Sequence, residues 1–364
     1  MQFKKTITLL LCAVLLLGSL AGFAEGEDAA APKLVYGTLS LLNMSEEEYV
    51  DIIEARYLVI EQLIEEGYAV LSLEEEEVLE QGVQIPEGKP GEIQVVYYDT
   101  IDALLMALNA RQIDGILIYQ NVARYLCATN DTLQTVMTYN TEQSLNTFAK
   151  MAYSGINGND FSFLMMEDRT GLRDEFNAAI AEMKKDGTLD RLAEEQIEAL
   201  VNGDEIEPVA LPQTDGAETI KVAVTGALPP MDYVAANGEP AGFNTAVLAE
   251  IARRTGKNIE LVVVDSFGRA AALASGVVDV VFWTRTSDMV QKGLDLPEAE
   301  LNPIPEELFS SMTEDEQQVL RTVEEMADRS AYVSADMPEG TLCTDPYFSD
   351  VFTIVIALDA PGNE

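Results

Sequence analysis

The stretch LVVVDSFGRAAALASGVVDVVFW, from Leu261 to Trp283, constrains the fold more than any other. Leu261–Val264 is an apolar, β-branched run of the kind that forms a buried strand. Asp265 and Ser266 supply a cap, Arg269–Ala274 reads as a short helix, and Gly276 stops it. Asp279 then leads into a second apolar run, Val280–Trp283. Strand, helix, strand is the unit of a parallel sheet covered by helices. The same grammar occurs at Ile93–Tyr119, IQVVYYDTIDALLMALNARQIDGILIY. There an apolar strand ends in Asp99 and Thr100, a helix spans Ile101–Ala110, and Asp114 precedes the next apolar strand. The two Asp-to-Asp intervals, 265 to 279 and 99 to 114, differ by a single residue. Two such units predict two similar α/β lobes. Two ordinary βαβ units without kinship are the alternative.

The chain has 364 residues, enough for two domains or one two-lobed domain, and 48% of them are hydrophobic. With 22 Lys+Arg against 63 Asp+Glu, its net charge is −41, which repels nucleic acid and anionic membrane. There is no histidine, which excludes Ser-His-Asp and Cys-His catalysis and HExxH zinc sites. A pair of carboxylates remains chemically possible, but among so many acids such a pair carries no information without geometry. Residues 1–24 have the form of a secretory signal peptide: Lys4 and Lys5, an apolar core over Thr6–Leu20, and the small-residue site Gly22-Phe23-Ala24. This predicts an exported protein, periplasmic or extracellular and associated with the cell surface. Cys127 and Cys343 could pair in such a compartment. Cys127 lies in an apolar helical pattern, which favours a buried free thiol.

Residues 25–32 read as a disordered leader, and Leu34–Leu42 as the first strand. Ser45 with Glu48 forms a capping box for a helix over 46–66, and residues 71–90 read as a solvated excursion. A helix is expected over Val122–Ala128 and a strand over Phe161–Met166. Leu172, Phe176, Ala179, Ile180 and Met183 share one helical face. Gly187 ends that helix, and Thr188 caps the next, whose stripe is Leu189, Leu192, Ile197 and Leu200. Val201–Ala217 is the linker. Ile220–Val224 restarts a strand, Asn237-Gly238 signals a hairpin, and Asn244 caps a helix over Thr245–Thr255 that stops at Gly256. Leu294–Gly340 reads as a polar insertion with one helix at 314–327, and Tyr347–Leu358 carries the last strand. The domain plan is a lobe over 33–166, a helical tail over 167–200 packing on the second lobe, a linker over 201–217, and a lobe over 218–364 with its insertion.

The segments VAVTGALPPMDYVAANGEPAGFNTAVLAEIARRTG, SGVVDVV and TDPYFSDVFTIV resemble the first lobe of bacterial extracytoplasmic solute-binding proteins. That family has the type II periplasmic-binding fold, and the likeness is to its polar amino-acid-binding kind. YYDTIDALLMALNARQIDGILIYQNVARYL resembles the family's second lobe, and EFNAAIAEMKKDGTLDRLAEEQ its closing helices. Here the second-lobe-like part comes first. The resemblance therefore implies a two-lobed α/β fold with circularly permuted lobe order, or two incomplete tandem copies.

By this resemblance a small solute, an amino acid or similar polar metabolite, lies in a cleft between the lobes. Met231, Tyr233, Trp283, Thr284, Arg285 and Thr286 would line it from one lobe, and Tyr119 and Gln120 from the other. Tyr98 and Tyr347 are further candidates. The family's carboxylate-clamping Arg falls near Gln291 and its amine-holding Asp at Tyr119, so both ends of the usual amino-acid grip differ here. The implied role is non-catalytic binding for ABC-type uptake or sensing, with no cofactor or metal. The implied partner is an ABC-transporter permease, and the binding protein itself would be a monomer. A carboxylate-dependent carbohydrate-active enzyme on the same fold and a degenerate protein-interaction domain are the alternatives. Trp283, Arg285 and Tyr119 are expected to face one cleft.

Overall fold

In a computed structural model, the described residues are 33–40, 69–71, 92–135, 137–139, 158–204, 206–265, 268–286, 310, 317 and 340–358. The signal peptide, the leader, the helix at 46–66, the excursion at 71–90 and nearly all of the insertion, with its helix at 314–327, lie outside them. In chain order the described elements begin with β1 (Lys33–Leu39), β2 (Ala69–Leu71), β3 (Glu92–Tyr98), α1 (Ile101–Asn109), β4 (Gly115–Tyr119) and α2 (Gln120–Thr129). There follow β5 (Leu133–Thr135), β6 (Met137–Tyr139), β7 (Gly158–Met166), α3 (Thr170–Lys185) and α4 (Thr188–Ala193), which continues through a π-helical turn to Val201. The rest is β8 (Thr219–Val224), β9 (Ala227–Leu228), β10 (Asp232–Val234), β11 (Pro240–Ala241), α5 (Phe243–Thr255), β12 (Asn258–Val263), α6 (Arg269–Ala274), β13 (Val280–Thr286), β14 (Thr341–Cys343) and β15 (Phe348–Ala357).

One large sheet runs β12-β8-β13-β7-β15-β4-β1-β3. At each end is a parallel trio in which the first strand in sequence lies in the middle: β8 between β12 and β13, and β1 between β3 and β4. Each strand–helix–strand unit thus straddles a middle strand. The repeated Asp explains how. Asp114 donates its amide to the Val35 carbonyl at 2.7 Å and accepts the Val35 amide on its carboxylate at 2.8 Å. Asp279 makes the same pair with Lys221, at 2.8 and 2.9 Å. Each Asp therefore sets the start of the incoming strand against the middle strand through both polar groups of one residue. At Gly37 on β1, an added Cβ would lie 2.5 Å from Ile113 and 2.7 Å from Leu104, so α1 packs on the bare backbone.

Between the trios lie two antiparallel strands. β7 pairs with β13 and β14, and with the first residues of β15 (Phe348–Val351 against Gly158–Phe161). From Phe352 onward β15 pairs instead with β4 and β5. The lobe boundary expected at residue 166 is corrected here. β7 belongs with the β8 trio, and β15 straddles the two halves, because strand pairing follows apolar faces and not nearness in sequence. Aromatic rings mark the seam. Tyr119 stacks on Phe352 (4.1 Å) and meets the edge of Phe161 (4.8 Å); Phe348 and Phe243 continue the line to Tyr347, which stacks on Phe163 at 4.5 Å.

α3 and α4 pack against α5, and Leu172, Phe176, Ala179, Ile180 and Met183 are all buried. Ionic contacts seal that face. Arg254 of α5 reaches Asp186 at 2.8 Å, Thr188 at 3.0 Å and Glu182 at 3.3 Å. Lys257 reaches Glu218 at 2.8 Å and Glu175 at 3.1 Å. The Thr188 hydroxyl and then the Arg254 guanidinium hold the Asp186 carboxyl down at about 2. The far end of the tail reaches α2 through the two-pronged Arg124–Glu198 pair, both contacts 2.6 Å.

Several caps differ from expectation. α5 begins at Phe243 with Gly242 before it, and Asn244 is wholly buried inside the first turn without capping it. Thr188 is the first residue of α4 and does not cap it; Gly187, with φ 74°, precedes it, and Asp186 accepts the Thr188 amide. At α6 the Asp265 carboxylate accepts the Gly268 amide at 2.6 Å, so it bridges the turn one step ahead of the helix. α1 does start with its Thr100 cap, at 3.2 Å from the Ala103 amide. Cys127 and Cys343 are free thiols, and burial pushes them up to about 11 and about 12.

The Asp–middle-strand pairs can be tested by chemical denaturation. Asp114→Ala leaves the Val35 amide without its acceptor and is expected to cost roughly 1–3 kcal/mol. Asp114→Asn, which keeps a carbonyl there, should cost distinctly less. Equal losses for the two variants would show that the amide-accepting oxygen is unimportant.

Candidate functional site

In parallel α/β sheets ligands gather at the carboxyl ends of the strands. Here those ends are the Thr225–Gly226 turn after β8, Val264-Asp265 after β12, the end of β13, and Gln120 after β4. The turn after β8 is built around one carboxylate. Asp232, on β10 and only 2% exposed, accepts the Thr225 amide at 2.9 Å, the Gly226 amide at 2.7 Å and the Thr225 hydroxyl at 2.8 Å. Burial pushes its carboxyl up to about 7, against the pull of these donors and of the Arg269 charge. Arg269, at the start of α6, is 1% exposed; it donates to the Phe282 carbonyl and lies 5.7 Å from the Phe282 ring. It therefore holds β13 at the residue just before Trp283. Gly242 closes the turn from below: its φ is 101°, and a Cβ there would lie 2.6 Å from the Met231 carbonyl oxygen.

Of the residues expected to line the cleft, Met231, Tyr119 and Tyr347 are buried in the core. Met231 is fully covered, and its carbonyl accepts the Asn244 amide at 2.8 Å. Tyr119 is fully covered within the aromatic seam, so it does not face a cleft. Tyr347 packs on Phe163 and donates its hydroxyl to Asn244 at 2.9 Å. Each packs into the apolar core: Met231 beneath the turn after β8, Tyr119 and Tyr347 against other aromatic rings. Thr284 is 1% exposed, and its hydroxyl has no hydrogen-bond partner among the described residues. Trp283, Arg285 and Thr286 lie on β13, whose backbone runs beside β7 with Arg285 opposite Phe161 and Thr286 opposite Asp160. Their side chains lie outside the described residues.

Gln120, Tyr98 and Tyr233 are half-buried. Gln120 opens α2, and the Tyr98 carbonyl accepts the Ser40 hydroxyl at 3.3 Å. Tyr233 matters most. Its phenol is raised by burial and then by the charge of Tyr125, which lies on α2 in the other half. Tyr125, Asp232 and Arg269 escaped the sequence reading. Asp232 and Arg269 are lone charges in apolar runs, but the excess of acids hid the first and the helix pattern absorbed the second. Among the described residues no group of His, Cys, Asp and Glu could hold a metal ion.

The buried Asp232 predicts a pH dependence. Its folded value, about 7, lies above the ordinary 3.8, so the folded state holds an extra proton between them. Its contribution to stability is present below about 4 and is lost as pH rises to about 7. Asp232→Asn can accept both turn amides and donate to the Thr225 hydroxyl. The variant's melting temperature should gain on the wild type as pH rises through that window. A constant difference between the two would rule out titration at Asp232.

The family model of bacterial extracellular solute-binding proteins, family 3, matches residues 220–289, which cover β8 to β13. The search of curated proteins found no match. Among solved structures, a zinc-bound ligand-binding component of an ABC-type import system from Staphylococcus aureus is similar at 7% identity and TM-score 0.36, over 89% of this chain and 66% of that one. A substrate-binding protein from Microbacterium hydrocarbonoxydans, complexed with 4-hydroxybenzoate hydrazide, is similar at 12% identity and TM-score 0.31, over 76% of this chain and 57% of that one. A phosphate-binding protein of a phosphate ABC transporter from Streptococcus pneumoniae is similar at 8% identity and TM-score 0.31, over 89% and 88%. The chain spans less than two thirds of the first two. At TM-scores below 0.5 these likenesses carry no weight beside the sequence match. Residues 220–289, the trio that builds the Asp232–Arg269 turn, carry the sequence pattern of the bacterial extracellular solute-binding proteins of family 3.

Proposed function

We propose that the chain binds a small polar solute between its two halves, at the carboxyl ends of β8, β12 and β13, outside the cytoplasm and without turnover. The observation that carries this reading is the coincidence of two things. The family match covers β8 to β13, the Asp232-braced turn follows β8, and Arg269 grips β13 at Phe282. Tyr233, half-buried after β8, has its phenol raised by burial and then by the charge of Tyr125 on α2. The absence of histidine and the buried, high-pKa thiols argue against nucleophilic catalysis. No described helix is long and apolar enough to cross a membrane. An ABC-type permease is the partner this reading implies, with uptake or sensing as the role. The permuted order of two lobes is part of the same reading: the β8 trio with its family pattern follows the β1 trio, and α3 and α4 pack on α5.

Trp283 is the only tryptophan, so its fluorescence reports on β13. In a screen of amino acids, polyamines and small sugars, one class is expected to raise the melting temperature and to shift that fluorescence. If the ligand bears a carboxylate, Arg285→Ala should weaken it by roughly 2–5 kcal/mol, as for one member of a buried charge pair. A ligand whose affinity is unchanged in both Arg285→Ala and Tyr233→Ala would place the site elsewhere.

A further inference from the structure

The carboxyl ends of the inner strands of the two trios converge on one short stretch of β15. β13 ends at Thr286, which lies opposite Asp160 of β7, and Asp160 in turn lies opposite Ser349 of β15. β4 ends at Tyr119, opposite Phe352 of β15. The step from Ser349 to Phe352, about 10 Å of extended strand, is all that separates the two ends along β15. Asp350, 5% exposed, lies within that step and fixes the second end: its carboxylate accepts the Asn121 amide, in the first turn of α2, at 3.2 Å and the Val351 amide at 2.8 Å. Burial pushes the Asp350 carboxyl up to about 7 and shuts it away from solvent, so it positions α2 and offers nothing to a solute.

Successive residues of a strand face opposite sides of the sheet. On one side of this stretch Phe161 and Phe348 belong to the aromatic seam. On the other side the half-buried Asp160 accepts the hydroxyl of the exposed Ser349. Thr284 pairs with Ser162, two residues along β7 from Asp160, and so shares that side. Its hydroxyl is buried and has no hydrogen-bond partner among the described residues. A polar strip therefore runs inward from the surface, at the point where both trios direct the ends of their strands.

Given the solute-binding reading above, on which this rests, we propose that Asp160 and Ser349, on the two linking strands, form an ammonium subsite of the solute site, with the Thr284 hydroxyl at its inner end. The chemistry of the pair sets the class of solute. The Ser349 proton is spent on Asp160, so toward a solute the hydroxyl presents lone pairs, and the carboxylate presents only acceptors. Such a pair repels carboxylate, phosphate and sulfonate groups. A neutral hydroxyl has a single proton to share with it. A primary ammonium brings three donors and the matching charge, and its bonds to a carboxylate are about twice as strong as neutral ones. The net charge of −41 draws such a cation toward the molecule.

The test is titration of the full chain with putrescine, spermidine and lysine, and with butanediol, succinate and glucose, read by Trp283 fluorescence and by melting temperature. At least one of the three amines is expected to bind, and none of the other three solutes. Asp160→Asn keeps the shape of the side chain and removes its charge; it should weaken the amine by about tenfold or more. Ser349→Ala removes an exposed hydroxyl and should weaken it by about threefold. Ser349→Ala decides the matter if Asp160→Asn does not fold. Added salt should weaken the amine in the wild type and much less in Asp160→Asn, a difference that a merely structural carboxylate would not produce. Binding of succinate, butanediol or glucose without any amine would leave the solute-binding reading standing and overturn the ammonium subsite. So would an amine bound equally well by the wild type and both variants. No response to any of the six solutes would overturn both.

Discussion

The antiparallel pairing of β7 with β15 is the constraint on which the rest of the structure depends. Each parallel trio has an inner edge, β13 on one side and β4 on the other, whose backbone groups need partners. β7 completes the first edge and β15 the second, and the two strands bond to each other where they overlap. A continuous sheet results from two separate folding patterns. The aromatic line from Tyr119 to Phe163 fills the surface exposed by that junction. Residues expected to greet a ligand are used there instead.

The repeated strand–helix–strand units were legible because their signals are local. β-branched runs, a capping hydroxyl at Thr100 and glycines past helix ends need only neighbours in sequence to act. The recurring Asp was visible as a spacing, but its purpose was not. Only when β1 and β8 slide in as middle strands do Asp114 and Asp279 find the Val35 and Lys221 backbones. Those partners are far away in sequence, and no pattern around either Asp announces them.

The strand over Val280–Trp283 was legible, and it extends to Thr286, but the surroundings of the candidate residues were not. Tyr119, Met231 and Tyr347 were misplaced, because an aromatic or thioether side chain at a strand end suits a ligand wall and a core equally well. Burial decides between them, and burial is a property of the whole assembly. The reverse error hid Asp232 and Asp350. In so acidic a chain, single carboxylates look like solvated surface, and only enclosure by distant elements turns them into groups with raised affinity for protons.

By itself, then, the sequence determined the α/β class, the position of most strands and helices, the lack of histidine chemistry and the resemblance carried by the segment from β8 to β13. Those follow from side-chain periodicity and residue type, which are fixed before the chain folds. Only the tertiary structure decided that β7 sits with the β8 trio, that β15 belongs to both halves, and that Tyr119 packs in the seam. It alone gave Asp232, Arg269 and Asp350 their surroundings. Strand pairing and desolvation depend on which distant segments come together, and a linear pattern of apolar and polar residues leaves several such pairings equally well satisfied.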